Sequence, residues 1–216
     1  MRLLLVRHGE TVANVEGRFQ GQREYPLTPR GLQQAEAMRK RLEALPIDLV
    51  FSSDLSRALQ TAQVIVTGRA LSITIDPRLR EYRWGAFEGL THAGIRAAYP
   101  ELGARLREEW GSLPIPGKED PTAFVERIDA FLQALLEGVA QAATVLIVAH
   151  GRLLNGMLVR LLGLLPQRRW PFSCENGALT VVDWHLGNQA WLRVYNEIPP
   201  VLQPAPWERR RMDLEE

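Results

Sequence analysis

The sequence predicts an α/β fold: a three-layer sandwich with a mostly parallel central sheet flanked by helices, and a helical insertion in the middle of the chain. Three observations carry this expectation. The uninterrupted apolar runs Leu3-Leu4-Leu5-Val6 and Thr144-Val145-Leu146-Ile147-Val148-Ala149 have the character of strands buried on both faces. Such strands alternate with amphipathic helical segments, and that alternation implies parallel pairing. Thr28-Pro29 and Asp120-Pro121 each join an N-cap to a proline at the first helical position, which marks two helix starts.

In chain order, residues 3–6 form the first strand, and Gly9 follows at once. The helix after Thr28-Pro29 carries Leu32, Ala35, Met38, Leu42 and Leu45 at three- and four-residue spacing, a stripe expected to lie on the sheet. Residues 48–52 are the second strand, and 54–66 a second helix with Leu55, Leu59, Ala62 and Ile65 on one face. Residues 72–75 give a third strand. Residues 85–117 are the least regular part and are read as a helical insertion or lid, with one short helix over 91–99. After Asp120-Pro121 a helix presents Phe124, Ile128, Phe131, Leu135 and Val139. Strand 144–149 leads into a helix from about residue 153 to 162. Residues 180–184 and 191–195, joined by a turn at Gly187-Asn188, close the sheet, with Val181, Trp184 and Trp191 in its core. Residues 1–198 are read as one domain, and 199–216, rich in proline and charge, as a loosely ordered tail in which Arg209-Arg210-Arg211 is a solvated end.

The bulk numbers narrow the function. Twenty-six Lys and Arg oppose 25 Asp and Glu for a formal charge of +1, so nothing in the balance points to nucleic acid or a membrane surface. The N-terminal apolar run is too short for a signal peptide, and no apolar stretch approaches the roughly 20 residues that span a bilayer, which reads as a soluble, cytoplasmic protein. The one cysteine, Cys174, rules out an internal disulfide and is read as core filler.

Two strands end in His-Gly, at His8-Gly9 and His150-Gly151. Ligands of open α/β sheets bind beyond the carboxyl ends of parallel strands, so both imidazoles should enter one crevice. The segment Ser53-Asp54-Leu55-Ser56-Arg57 brings a helix opening there, a place that attracts phosphate. Arg7 and Arg57 add two guanidinium forks suited to tetrahedral oxyanions, and Arg57 near a helix start is unfavourable unless an anion compensates. Two histidines, two arginines and a carboxylate suit phosphoryl transfer through an enzyme intermediate. His8, kept neutral by Arg7, is the nucleophile candidate; His150 would stabilise the transferring group; Glu81 is the acid candidate, with Glu88 as its rival.

Arg7-His8-Gly9-Glu10-Thr11 resembles the signature of the histidine phosphatase superfamily, which includes the cofactor-dependent phosphoglycerate mutases. The likeness extends through Asn14, Gly17-Arg18-Phe19-Gln20-Gly21, Pro26-Leu27-Thr28-Pro29-Arg30-Gly31 with Gln34-Ala35, and Ser52 to Ala58 with Gln60-Thr61-Ala62. It continues in Leu79-Arg80-Glu81, Trp84-Gly85, Phe87-Glu88-Gly89 and Val148-Ala149-His150-Gly151. The resemblance implies that His8 is phosphorylated, that Arg7, Arg57 and His150 form the phosphate pocket with Gly21 and Gly151, and that Glu81 protonates the leaving group and then activates water. It places Asn14 and Gln20 opposite the substrate phosphate. It implies no metal and no cofactor, and His92 and His185 lack partners at ligand spacing and are read as structural.

Residues 82–91 are similar to the phosphatase branch, which includes broad-specificity and α-ribazole-phosphate phosphatases, rather than to the mutases with their longer basic insertion. The expected activity is therefore hydrolysis of small phosphate monoesters. A phosphoglycerate mutase and a non-catalytic phospho-ligand module are the alternatives. Tyr82, Trp84, Phe87, Tyr99 and Trp110 either meet an organic leaving group or pack the insertion, and Arg168-Arg169 either meets a substrate anion or lies in a surface loop. A small phosphate ester is the expected partner, and the family admits a homodimer.

Overall fold

A computed structural model describes residues 1–106, 112–164, 171–185 and 189–199. Trp110, Arg168-Arg169, the turn at Gly187-Asn188 and the tail from residue 200, with its three arginines, lie outside them.

The strands are β1 (Arg2–Arg7), β2 (Leu49–Ser52), β3 (Ile73–Ile75), β4 (Thr144–Ala149), β5 (Leu179–His185) and β6 (Gln189–Glu197). They form one sheet in the order β3-β2-β4-β1-β5-β6. The pairs β3–β2, β2–β4 and β4–β1 are parallel, and β5 and β6 are antiparallel additions at one side. The helices are α1 (Val12–Val15), α2 (Pro29–Arg41), α3 (Ser56–Val66), α4 (His92–Ala98), α5 (Pro100–Arg105), α6 (Pro121–Gly138) and α7 (Gly151–Leu161).

Alternation along the strands produces two cores and hence three layers. Leu4, Val6, Leu146 and Val148 pack with Met38 of α2 and with Ala58, Ala62 and Ile65 of α3. Leu3, Leu5, Val145 and Ile147 pack on the opposite face with Phe124, Ile128 and Phe131 of α6 and Leu153, Met157 and Leu158 of α7. The chain thus leaves β1 toward one face and β4 toward the other. Because these neighbouring strands part at their carboxyl ends, a crevice opens between the segments that follow them.

Both cap-plus-proline signatures are helix starts: the Thr28 side chain accepts from the Gly31 amide, and Asp120 accepts from Thr122 and Ala123. Other expectations need correction. Leu32 is 39% exposed, because α2 turns Gly31, Gln34, Ala35 and Met38 inward instead. Small residues there allow close approach: a Cβ on Gly9 would sit 2.3 Å from the Gly31 carbonyl oxygen. Helix α3 starts at Ser56 rather than 54, with Leu55 as its N-cap, while Asp54 binds the Arg80 guanidinium at 2.8 and 3.0 Å. Leu45 and Val139 lie past the ends of their helices.

The described residues of the insertion hold two short α-helices where one was expected, since Pro100 opens α5 directly after α4. Trp191 is 45% exposed on β6 at the sheet edge, edge-on to His185 at 4.8 Å, and is not core; Val181 and Trp184 are.

Candidate active site

Strand register sets the centre of the site. Arg7 pairs with Ala149 across β1 and β4, so His8 and His150 are the next residues on each strand. The His8 amide donates to the Ala149 carbonyl at 2.9 Å, extending the ladder one step beyond the sheet. The two rings stand 5.2 Å apart between centroids and are tilted by 59°. Both residues are buried.

His8 Nδ1 lies 2.7 Å from the Gly9 carbonyl oxygen. A carbonyl only accepts, so Nδ1 carries the proton and the lone pair is on Nε2. Burial, then Arg57, then Arg7 push the His8 pKa well below 6.5, against the Gly9 hydrogen bond. His150 is pushed down as well by burial, Arg57, His8, Arg7 and Arg127. Both imidazoles are therefore neutral at pH 7.

The guanidinium groups are held by backbone carbonyls, not by carboxylates. Arg7 Nη1 donates to the Cys174 carbonyl at 2.5 Å, and its Nε has no protein partner. Arg57, 1% exposed, donates to Arg23 at 2.9 Å and Gly21 at 2.7 Å, and its Nε is likewise unpartnered. Burial pushes the Arg57 pKa down to about 10, against the pull of Glu81 and Glu24. Among the described residues six buried side-chain nitrogen and oxygen atoms lack a partner, and four belong to Arg7, Arg57 and His150, which contributes both ring nitrogens. Buried polar groups left unmatched are costly, and N–H donors on Arg7 and Arg57, whose hydrogen bonds among the described residues go to carbonyls, form an arrangement that can receive an anion.

The loop after His8 closes one side. Thr11 ties its parts together: its amide donates to Asn14 Oδ1 at 3.1 Å, and its hydroxyl lies 2.9 Å from both Asn14 Oδ1 and Gln20 Oε1, either of which can accept its one proton. Gly21 adopts φ +53, and a Cβ there would fall 1.9 Å from Glu88 Oε1. This glycine places the carbonyl that Arg57 binds. Gly151 opens α7 against Arg7, with a built Cβ 3.4 Å from Arg7 Nε. The helix opening at Ser56 was expected to attract phosphate; instead its amide donates to Glu24 at 3.1 Å, so a protein carboxylate occupies it.

Glu81 and Glu88 separate by their partners. Glu88 Oε1 accepts from the amides of Gln22 at 3.0 Å and Trp84 at 2.9 Å, stapling the loop to the insertion. Glu81 accepts from the Tyr82 amide at 2.7 Å and, through Oε2, from the Arg152 amide at 3.2 Å in the first turn of α7. It is thereby joined to the helix that His150 caps.

Sequence reasoning missed several contributors. Asn176 Nδ2 donates to the His8 carbonyl at 3.1 Å and to Asn14 Oδ1 at 3.2 Å, latching the β5 approach onto the segment after β1. Cys174 is partly buried against the core, as expected, but its carbonyl also holds Arg7. Arg152, with its guanidinium carbon 4.8 Å over the Trp84 ring, is a third cation at the crevice, and burial pushes its pKa down to about 9 against Glu81. A cation in a first helical turn beside His150-Gly151 was the same signal that singled out Arg57. Tyr82, Trp84 and Phe87 are buried packing groups of the insertion, in edge contacts with Phe19 and Phe124, and are not a wall for a leaving group. His92 meets Phe19 edge-on and His185 meets Trp191 likewise, and among the described residues no cluster of three or more His, Cys, Asp or Glu could hold a metal ion. Among them, too, no helix is long and apolar enough to cross a membrane.

A model of the histidine phosphatase superfamily, branch 1, matches residues 3–197. An adenosylcobalamin/α-ribazole phosphatase of Escherichia coli is 34% identical over 199 residues, covering 91% of this chain and 96% of that protein. A probable phosphoglycerate mutase GpmB of Yersinia pestis is 33% identical over 192 residues, covering 89% and 88%. The crystal structure of an α-ribazole phosphatase from Shigella flexneri superposes with a TM-score of 0.83 at 35% identity, covering 91% and 96%. A family model over residues 3–197, and relatives alike over most of their length, agree with the paired His-Gly strand ends: the chain is an enzyme of the histidine phosphatase superfamily.

Proposed function

We propose that the protein hydrolyses small phosphate monoesters by way of a phosphohistidine on His8, without a metal. The observation that carries the reading is the neutral, buried His8, its Nδ1–H fixed on the Gly9 carbonyl and its lone pair on Nε2, beside two guanidinium groups with unmatched N–H donors. In the first step Nε2 attacks phosphorus and the ester P–O bond breaks, while protonated Glu81 gives its proton to the departing alkoxide, releasing an alcohol. Arg7, Arg57 and His150 stabilise the charge on the equatorial oxygens, with Asn14, Gln20 and the backbone of Gly21 and Gly151 lining the pocket. In the second step the Glu81 carboxylate takes a proton from water, the oxygen attacks phosphorus, and the N–P bond breaks to release phosphate.

The same reading takes residues 1–198 as one domain working in the cytoplasm on small molecules rather than nucleic acid, and leaves a homodimer open. The relatives that bear the name make α-ribazole phosphate the first ester to screen. A mutase would share the phosphohistidine but return the group to a sugar acid, and the likeness to the Yersinia protein keeps that reading in view. Hydrolysis of p-nitrophenyl phosphate in EDTA, run beside mutase turnover with bisphosphoglycerate, separates the two. The proposal expects hydrolysis that survives chelation and little mutase turnover. Activity lost in EDTA and restored by a divalent metal would overturn it.

A further inference from the structure

Glu81 follows Arg80 in an irregular segment after a 3-10 turn (Pro77–Leu79), where no strand among the described residues orders the backbone. A side chain on α6 does so instead, beside Gln22 Nε2, which also donates to the Glu81 carbonyl at 3.1 Å. Arg127 Nη1 donates to the carbonyls of Arg78 at 2.7 Å and Arg80 at 2.6 Å, and Nη2 to that of Glu81 at 3.1 Å. The guanidinium is itself held by Glu119, at 2.7 Å through Nε and 3.1 Å through Nη2, and lies 4.6 Å over the Phe124 ring. Glu119 reaches past the acid as well: its carboxylate accepts from the Arg83 amide at 3.1 Å, and its carbonyl from the Tyr82 hydroxyl at 2.7 Å. The pair is mostly buried, with side-chain exposures of 16% and 12%.

We propose that Arg127, clamped by Glu119, is a positioning residue for acid–base catalysis: it fixes the peptide planes on either side of Glu81 and so the direction in which that carboxylate meets the leaving group. A rigid planar fork with five donors can serve three carbonyls and a carboxylate at once; an ammonium group cannot hold that geometry. Small misplacements of a catalytic group cost rate steeply. Arg127 touches no reacting atom and works through Glu81, so the inference rests on the assignment of Glu81 as the acid.

The test compares p-nitrophenyl phosphate, whose leaving group needs no proton, with β-glycerol phosphate, whose alkoxide does. Arg127→Lys should lower kcat/KM, which reports the phosphorylation step alone and not the dephosphorylation that both esters share, by about thirtyfold for the glycerol ester and by less than about threefold for the aryl ester. Glu81→Gln should show the same split. The double variant should lose no more than about twofold beyond Glu81→Gln, because the two act as one unit. Should Arg127→Lys fail to fold, Glu119→Gln, which keeps an acceptor for the Arg83 amide but loosens Arg127, should give the split in weaker form. Equal losses on both esters, or losses that multiply in the double variant, overturn the inference and leave Arg127 a structural staple. A split in Glu81→Gln without one in the Arg127 and Glu119 variants defeats this inference alone; no split in Glu81→Gln defeats the acid assignment with it.

Discussion

His8 Nδ1 is fixed 2.7 Å from the carbonyl oxygen of its own neighbour, Gly9, and Gly9 is fixed in turn by donating its amide to the Thr61 hydroxyl at 3.1 Å. A single tautomer follows, with the unprotonated nitrogen at Nε2. Nitrogen-15 NMR of the His8 ring should show a protonated Nδ1 and a bare Nε2 at pH 7, and the same pattern well below pH 6.5, because burial and the two arginines oppose protonation. The acid limb of kcat/KM should then follow the second ionisation of the phosphate ester and move when the ester is changed. An invariant limb at pH 6.5 would contradict a neutral His8.

The depressed imidazoles also make stability depend on pH. His8, His150 and His92 all titrate lower in the folded chain than the 6.5 of the free side chain. Below that value the unfolded chain takes up protons that the folded one refuses, so their contribution is full above pH 6.5 and is lost as pH falls toward the folded values. Each fully buried ring approaches a slope of ~1.4 kcal/mol per pH unit. Thermal unfolding should show Tm falling between pH 7.5 and pH 5, and His8→Asn with His150→Asn should flatten that fall. An unchanged slope in the double variant would contradict the assignment.

Arg57→Lys should lower kcat/KM by about 100-fold, since a lysine cannot hold the Gly21 and Arg23 carbonyls and also present a second N–H to the anion. Steady-state kinetics with two esters checks this; a loss below about threefold would show that charge alone suffices.

Gly21→Ala puts a methyl group into a left-handed backbone and onto the Glu88 carboxylate. Denaturant unfolding should report a loss of about 1–2 kcal/mol. Inhibition by inorganic phosphate should weaken as well, because the carbonyl that orients Arg57 shifts with it. Unchanged phosphate affinity would separate Gly21 from the pocket.

Glu88→Gln tests the division between the two carboxylates. Its oxygen receives two backbone amides, so the variant should lower Tm and slow all esters alike, without the preference for poor leaving groups expected of Glu81→Gln. A selective effect at Glu88 would reverse the assignment.

The parts of the site that lie on regular elements were legible in the sequence. His8, Arg7 and His150 follow buried apolar strands, and strand register places such residues together once the sheet is known. The helix starts at Pro29 and Pro121 were legible because their caps are local chemistry. What escaped depends on contacts between distant segments: Asn176 meets His8 only because β5 pairs with β1, and Glu24 occupies the α3 opening only because the loop after α1 folds back. Arg127 left one trace, a cation on the same helical stripe as Phe124, Ile128 and Phe131, which matters only when several carbonyls await it. The stripe departs at Leu32 because Gly31 and Gln34 face inward beside the expected Ala35 and Met38, and a count of apolar side chains misses a glycine and a glutamine.

The central claim is a covalent phosphoryl group on the first histidine, and rapid quenching of the wild type and Glu81→Gln with a phosphorus-32-labelled aryl phosphate tests it most directly. The account predicts label that is acid-labile and base-stable, maps to His8, accumulates further in Glu81→Gln and is absent from His8→Ala. Label on another residue, or full turnover by His8→Ala, would contradict it.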